Sequence, residues 1–350
     1  MAKEVESTAD DAVELLVPGD FKVELGPVRN YLSSGCTLLD LAIANRLPGG
    51  FPAGRISQIY GDESTAKSVL AAEALGSAQR QGGFASMNDT EGTWDEQRAT
   101  DLHDVKQANE KIWNYTADTR SIEDLFDVYF KNLIEKIKDV EAPSCAVVDT
   151  LSALPSMAEL AGELSKGSYG TSRPLKLSMA FRKYINDFNR TNLGVVFIDQ
   201  TRDNVGVTFG DTKTTSGGRA VKFYASVRVV LSYEEKIKNS KEKVVGVKLG
   251  FFIKKNKIAP PFREGTFRVL FDYGIDDVGS SLEWLHHNDP AGKKEKWEVS
   301  VLKIASNGLN GLAKKVEEGN LEKDLAKEVQ RIWNIVYAPS DRKKRVRIGN

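Results

Sequence analysis

The hydrophobic positions of this chain change period several times, and each change marks an element. TADDAVELLV (8–17) has the apolar spacing of a short helix, which Pro18 and Gly19 end. FKVEL (21–25) alternates as a strand does and stands apart from the elements after it. From about residue 31, strand, glycine-rich turn and helix recur. RISQIY (55–60) is a strand, KSVLAAEALGSAQRQ (67–81) a helix rich in Ala and Leu, and GFASMN (83–88) a second strand. SIEDLFDVYFKNLIEKIKDVE (121–141) is a long amphipathic helix. SCAVVDTLSAL (144–154) carries the continuous apolar run of a buried parallel strand. A helix at LKLSMAFRKYINDFNR (175–190) and a strand at LGVVFIDQT (193–201) come next. Past residue 220 strand succeeds strand: YASVRVVLSYE, VVGVKLGFFIKK and TFRVLFDYG.

The alternation predicts an α/β fold whose twisted sheet is mainly parallel, with an antiparallel extension. Three parts are expected: an N-terminal helix–strand arm (1–30), a core (31–275) and a small α+β domain (276–350) with a helix at 321–337. There is no internal repeat and no low-complexity segment.

Composition narrows the class. With 41% hydrophobic and 28% charged residues in 350, a large core can form without staples. Cys36 and Cys145 form no C-x-x-C pair, and His103, His286 and His287 lack metal-ligand spacing, so a disulfide framework or a zinc site is not expected. The acidic N-terminus has no secretion signal, and no apolar run approaches the roughly 18 residues of a membrane span. The expectation is a soluble protein of the reducing cytoplasm. Charge is balanced overall but uneven: residues 1–30 hold three basic and seven acidic side chains, and the last ten hold five basic and one acidic. A neutral total leaves room for a nucleic-acid partner, because binding follows local patches. The basic end suits either phosphate contact or a solvated tail.

GDESTAKSVL (61–70) departs from the phosphate-loop pattern G-x-x-x-x-G-K-[ST] at one position, with Ala66 at the second glycine. It lies between a strand and a helix, where backbone N–H groups can cradle phosphate oxygens at a helix N-terminus. Gly61, Asp62, Glu63, Ser64, Thr65, Ala66, Lys67 and Ser68 form the candidate cradle. Lys67 would reach the β- and γ-phosphates, and the Ser68 hydroxyl would coordinate Mg²⁺. Two readings of Ala66 stay open at this level. If the position demands positive φ, alanine costs about 1–2 kcal/mol; if glycine serves only close approach, one methyl is accommodated. Partners stand at other strand ends. Asp149 closes CAVVD and can hold Mg²⁺ through water as a second metal residue; Glu91 in NDTEG is a candidate base for the attacking water; Gln200 ends VVFIDQ and can sense a γ-phosphate. For each, a solvated or helix-capping polar residue is the plain alternative. Their convergence on one sheet edge favours a site.

SSGCTLLDLAIA…GGFPAGRISQIYGDESTAKS, CAVVDTLSAL and above all FIDQTRDNVGVTFGDTKTTSGGRAVKFYASVRVVL (197–231), continued by IKKNKIAPPFREGTFRVLFDYGI (253–275), resemble the ATPase core of bacterial RecA-type recombinases. The likeness spans about residues 31–275. It implies a RecA-like P-loop core, ATP and Mg²⁺ as ligands, and a homo-oligomer, a helical filament or a ring. The filament would lie on single-stranded DNA and pair it with a homologous duplex. It further implies that Lys255 and Lys257 reach the ATP of the neighbouring subunit, that Phe271 flanks the adenine, and that the N-terminal arm, anchored by Phe21, adds a strand to the next subunit. Two departures stand out: Asp62 where the family usually has proline, which adds negative charge near the phosphates, and Ala66 for glycine. These keep open a DNA-binding filament or annealing protein with little hydrolysis; a hexameric helicase or clock-type ATPase on the same core fits the match over 197–231 less well.

Two glycine-containing segments suit DNA. MAELAGELSKGSYGTSRP (157–174) offers Tyr169 and Arg173. RDNVGVTFGDTKTTSGGRA (202–220) offers Arg202, Val207, Phe209, Lys213, Gly217, Gly218 and Arg219. Basic groups offset phosphate charge, and apolar or aromatic side chains can insert between bases without reading sequence. Because Gln200 lies two residues before Arg202, a γ-phosphate held there could order the segment after it.

Overall fold

The computed structural model describes residues 26–161, 172–203, 213–215, 218–290 and 296–338. The helix expected at 8–17, the strand at 21–25 with Phe21, and Tyr169, Val207, Phe209 and Gly217 lie outside the described residues. The described chain divides into two compact units, with the boundary between Asp276 and Asp277.

The first unit is built on one large sheet. Its strands are β3 (Ile56–Gly61), β4 (Ala85–Asp89), β5 (Trp113–Thr116), β6 (Ser144–Asp149), β7 (Leu193–Asp203), β8 (Lys213–Thr215), β9 (Val227–Lys238), β10 (Val244–Asn256), β11 (Glu264–Leu270) and β12 (Gly274–Asp276); β1 (Tyr31–Leu32) and β2 (Phe51–Pro52) form a separate short ribbon. The order across the sheet is β12-β11-β10-β9-β3-β7-β6-β4-β5, with β8 beside the end of β7. From β9 to β5 every pair is parallel; β10, β11 and β12 add antiparallel. The expected α/β sheet with its antiparallel extension is therefore present.

The central strands are buried on both faces, as their unbroken apolar runs require. Ala146 and Val148 of β6 and Val195 and Phe197 of β7 join an aromatic cluster with Phe126, Phe130, Phe181 and Phe188. The alternate residues Cys145, Val147, Val196 and Ile198 face the other way. Helix α1 (Thr37–Ala44) was not legible in the sequence, because all eight of its residues are buried and leave no polar stripe. Helix α2 (Lys67–Arg80) follows β3, and α3 (Glu96–His103) opens on an Asp95 cap whose carboxylate accepts from Arg98 N. The helix expected over 121–141 is shorter and mixed: a π-helical stretch at Asp124–Phe130 runs into α4 (Lys131–Ile137). Helices α5 (Met157–Ala161), α6 (Ser172–Arg190) and α7 (Gly218–Tyr224) complete this unit.

The second unit holds α8 (Asp277–Asn288), the hairpin β13 (Trp297–Val299) and β14 (Ile304–Ser306), α9 (Leu309–Glu318) and α10 (Glu322–Val336). Leu282, Leu285, Leu312, Val316, Val329, Ile332 and Trp333 are its buried core. His286 stacks on Trp297 at 4.2 Å, which accounts for one member of the His-His pair by packing. Among the described residues, no helix is long and apolar enough to cross a membrane.

Candidate functional site

The site is assembled where β3, β4, β6 and β7 end together. Gly61, the last residue of β3, pairs with Gln200 of β7 and Leu231 of β9. A Cβ at Gly61 would lie 2.5 Å from the Leu231 carbonyl oxygen, so close strand approach excludes any larger residue. The chain then turns through residues 62–66. Ser64 and Ala66 both adopt the left-handed conformation, with φ of 58° and 59°. Alternation of this kind turns successive N–H groups toward one concavity, the geometry that binds anions. The Thr65 hydroxyl donates to the Asp62 carbonyl at 2.8 Å and tightens the turn. Helix α2, 14 residues long, begins at Lys67 with no acidic residue in its first turn, so nothing there offsets its positive end.

The structure decides the Ala66 question: the position does require positive φ. Alanine in that conformation costs about 1–2 kcal/mol, while glycine costs roughly 0.5–1 kcal/mol more chain entropy. Ala66→Gly is therefore expected to stabilise the protein by about 0.5–1 kcal/mol, read as a raised denaturant midpoint. A lowered midpoint would contradict this account of the turn.

Lys67 is buried and folds back over the loop, donating to the carbonyls of Asp62 at 2.7 Å and Gly61 at 3.2 Å. Burial lowers its pKa, while Asp149, Asp62, Glu91 and Glu63 pull it upward. One residue on, the Ser68 hydroxyl donates to the Asp149 carboxylate at 3.1 Å. Asp149 ends β6 and is 6% exposed. Burial pushes its pKa up to about 6, the Ser68 bond opposes this, and Glu91 and Asp89 add repulsion.

Folding thus favours the protonated Asp149. That contribution is complete below about pH 4 and is lost as pH rises through about 6. In metal-free buffer Asp149→Asn should raise the melting temperature at pH 8 by a few degrees, on the order of 1–3 kcal/mol, and change little at pH 4. A variant that melts lower at pH 8 would count against a buried, destabilised carboxylate.

Glu91 is exposed just past β4. It is presented by Asp89, which is fully buried and accepts from the N–H groups of Gly92 and Trp94, each at 2.8 Å. Thr90 ties this turn to the end of β6: its N–H donates to the Asp149 carbonyl at 2.7 Å, and its hydroxyl donates to the Thr150 carbonyl at 2.9 Å. Gln200 is exposed beside Gly61, while its neighbour Asp199 points inward. Asp199 accepts from Gln58 Nε2 at 2.5 Å and Thr150 Oγ1 at 3.2 Å, and Gln58 in turn accepts from Arg228 Nε at 2.7 Å. Burial raises the Asp199 pKa. Sequence reading missed Asp89, Thr90, Gln58, Asp199 and Arg228. Only Asp89 and Thr90 had a visible signal, their place at a strand end before Glu91.

Other expected residues stand apart from this cluster. Lys255 pairs in register with Arg228, which pairs with Gln58, three residues upstream of Gly61. Its Nζ donates to the carbonyls of Lys222 at 2.5 Å and Phe223 at 2.8 Å, at the end of α7. Burial, with Lys257 and Arg228 nearby, lowers its pKa to about 8. Lys257 Nζ reaches the same Phe223 carbonyl at 3.5 Å. Phe271 is half-exposed, and its carbonyl accepts from Arg98 Nη2 at 3.2 Å. A cavity of about 160 Å³ opens from Ser68 and Asp149 toward Trp94, Arg98 and His103. Arg173 donates to the carbonyls of Leu151 at 3.0 Å and Ser152 at 3.2 Å. Arg202 lies in β7, Lys213 in β8, and Gly218 and Arg219 open α7.

Among the described residues no cluster of three or more His, Cys, Asp or Glu side chains could hold a metal. One carboxylate and one hydroxyl in contact, Asp149 and Ser68, instead match an ion that completes its shell with phosphate and water oxygens, as Mg²⁺ does.

Residues 22–276 match the family model described as the RecA N-terminal domain. Protein RecA of Gloeothece citriformis is 31% identical over 291 residues, covering 82% of this chain and 76% of the relative. Protein RecA of Trichodesmium erythraeum is 32% identical over 300 residues, covering 86% and 78%. Protein RecA of Limosilactobacillus reuteri is 34% identical over 266 residues, covering 76% and 69%.

Proposed function

Because this chain belongs to the RecA family of DNA recombination and repair proteins, we propose that it is itself an ATP-hydrolysing recombinase that filaments on single-stranded DNA and exchanges strands with a homologous duplex. The observation that carries the reading is the meeting of Lys67, Ser68, Asp149 and Gln200 at one rim, where the turn holds Ser64 and Ala66 left-handed ahead of α2.

The roles follow from chemistry. The 62–68 backbone would bind the phosphates, and Lys67 would exchange the Gly61 and Asp62 carbonyls for phosphate oxygens. Ser68 and Asp149 would hold Mg²⁺, which when bound offsets charge on the β- and γ-phosphates. Glu91, exposed and braced through Asp89, would take the proton of the attacking water. Gln200 would sense the γ-phosphate. Lys255 and Lys257 would serve a neighbouring subunit as trans cations, and Phe271 would flank the base. Residues 1–30 would link subunits, and Tyr169, Arg173 and the 202–219 segment would contact DNA. A cytoplasmic location completes the proposal.

The test is ATP turnover with and without single-stranded DNA at two salt concentrations. DNA should stimulate turnover about 10-fold or more, and the stimulation should fall as salt rises, because phosphate contacts release counterions. DNA binding without turnover would overturn the enzymatic reading.

A further inference from the structure

Asp62 stands where the resembled family usually has proline, and the structure shows what its side chain does. The carboxylate accepts a hydrogen bond from the Thr201 hydroxyl. A proline could make no such bond. Thr201 follows Gln200, and its backbone pairs with Thr215 of β8. It therefore sits where the strand leaving the nucleotide rim meets the strand returning from the 204–212 segment.

On the other side, the Asp62 carbonyl receives both Lys67 Nζ and Thr65 Oγ1. One residue thus touches the phosphate loop's lysine through its backbone and the β7–β8 pair through its carboxylate. We propose that the Asp62–Thr201 hydrogen bond is a second coupling contact, parallel to Gln200, through which the state of the phosphate loop is passed to the β7–β8 pair and so to DNA affinity. Asp62 and Thr201 are positioning residues. This inference rests on the nucleotide and DNA sites proposed above.

A hydroxyl bound to a carboxylate is stronger than a neutral pair, and Asp62 lies in the turn that would hold the phosphates. Movement of the 62–67 turn is then carried to Thr201 without passing through Gln200. The carboxylate also has a separate electrostatic effect, repelling a triphosphate, and the two effects can be divided by substitution. Thr201→Val removes the bond and keeps the charge; Asp62→Asn keeps an accepting oxygen and removes the charge; Asp62→Ala removes both.

The measured quantity is the tightening of single-stranded DNA binding caused by a nonhydrolysable ATP analogue, a ratio of affinities that needs no turnover. In the full chain the ratio should be about 10. Thr201→Val should bring it below about 3, Thr201→Ser should restore it, and Asp62→Asn should retain it with tighter analogue binding. Asp62→Ala should lose it, and the double variant Asp62→Ala/Thr201→Val should lose no more than either alone. Equal ratios in wild type and Thr201→Val would overturn the proposal, as would a wild type whose DNA affinity ignores the analogue. A wild type that couples analogue to DNA yet hydrolyses no ATP would refute the enzymatic reading and leave this contact standing.

Discussion

Lys67→Ala is expected to lower DNA-stimulated ATP turnover by at least about 100-fold, the scale for losing a charged donor from a preorganised anion site. The buried ammonium already sits over the loop, held by the Gly61 and Asp62 carbonyls rather than paired with a carboxylate. A phosphate oxygen would need only to displace two neutral acceptors. Burial lowers its pKa, and the four acidic groups near it oppose that shift. Because its bonds run to backbone carbonyls at the rim, the substitution should shift the melting temperature little. Turnover within twofold of wild type would show that the phosphates are held elsewhere. Lost turnover together with a collapsed melting temperature would assign the effect to folding instead.

The largest stability effect is expected away from the site. Phe130 is fully buried, with ring centroids 5.3 Å from Phe126, 5.1 Å from Tyr129, 4.9 Å from Phe188 and 6.5 Å from Phe197. It sits where the π-helical stretch meets α4, under strands β6 and β7. Phe130→Ala should cost about 3–5 kcal/mol through lost transfer energy and the cavity left behind, a fall of roughly 10 °C in a unit of this size. Val128→Ala, on the same stretch but 54% exposed, should stay within about 0.5 kcal/mol. Thermal denaturation of both variants checks the pair. Equal losses would mean that the aromatic cluster is not the keystone of this face.

The aromatic face runs along the π-helical stretch. Phe126, Tyr129 and Phe130 are all buried there, and Leu125 with them. Positions 125, 126, 129 and 130 share the apolar face that an amphipathic helix turns to the core.

Most of the core was legible from periodicity. The strands at 144–149 and 193–203 announced themselves by unbroken apolar runs, and the helix at 67–80 by its composition and the loop before it. Residues expected at the rim are together: Lys67, Ser68, Asp149 and Gln200 meet because four parallel strands end in near register. The network beneath them was not legible. Gln58, Asp199 and Arg228 come from strands far apart in sequence, separated by 141 residues in one bond and 170 in the other. No local pattern encodes a pairing of that span.

The sequence alone determined the α/β class, the place of the candidate phosphate loop between a strand and a helix, and the places of Asp149 and Gln200 at strand ends, because these follow from local period and from chemistry at fixed spacing. Only the tertiary structure decided that Ala66 is left-handed, that Asp149 is buried against Ser68, and that Asp62 meets Thr201. Backbone conformation, desolvation and side-chain contact across 139 residues of chain depend on which strands lie side by side, and strand order is a property of the folded sheet.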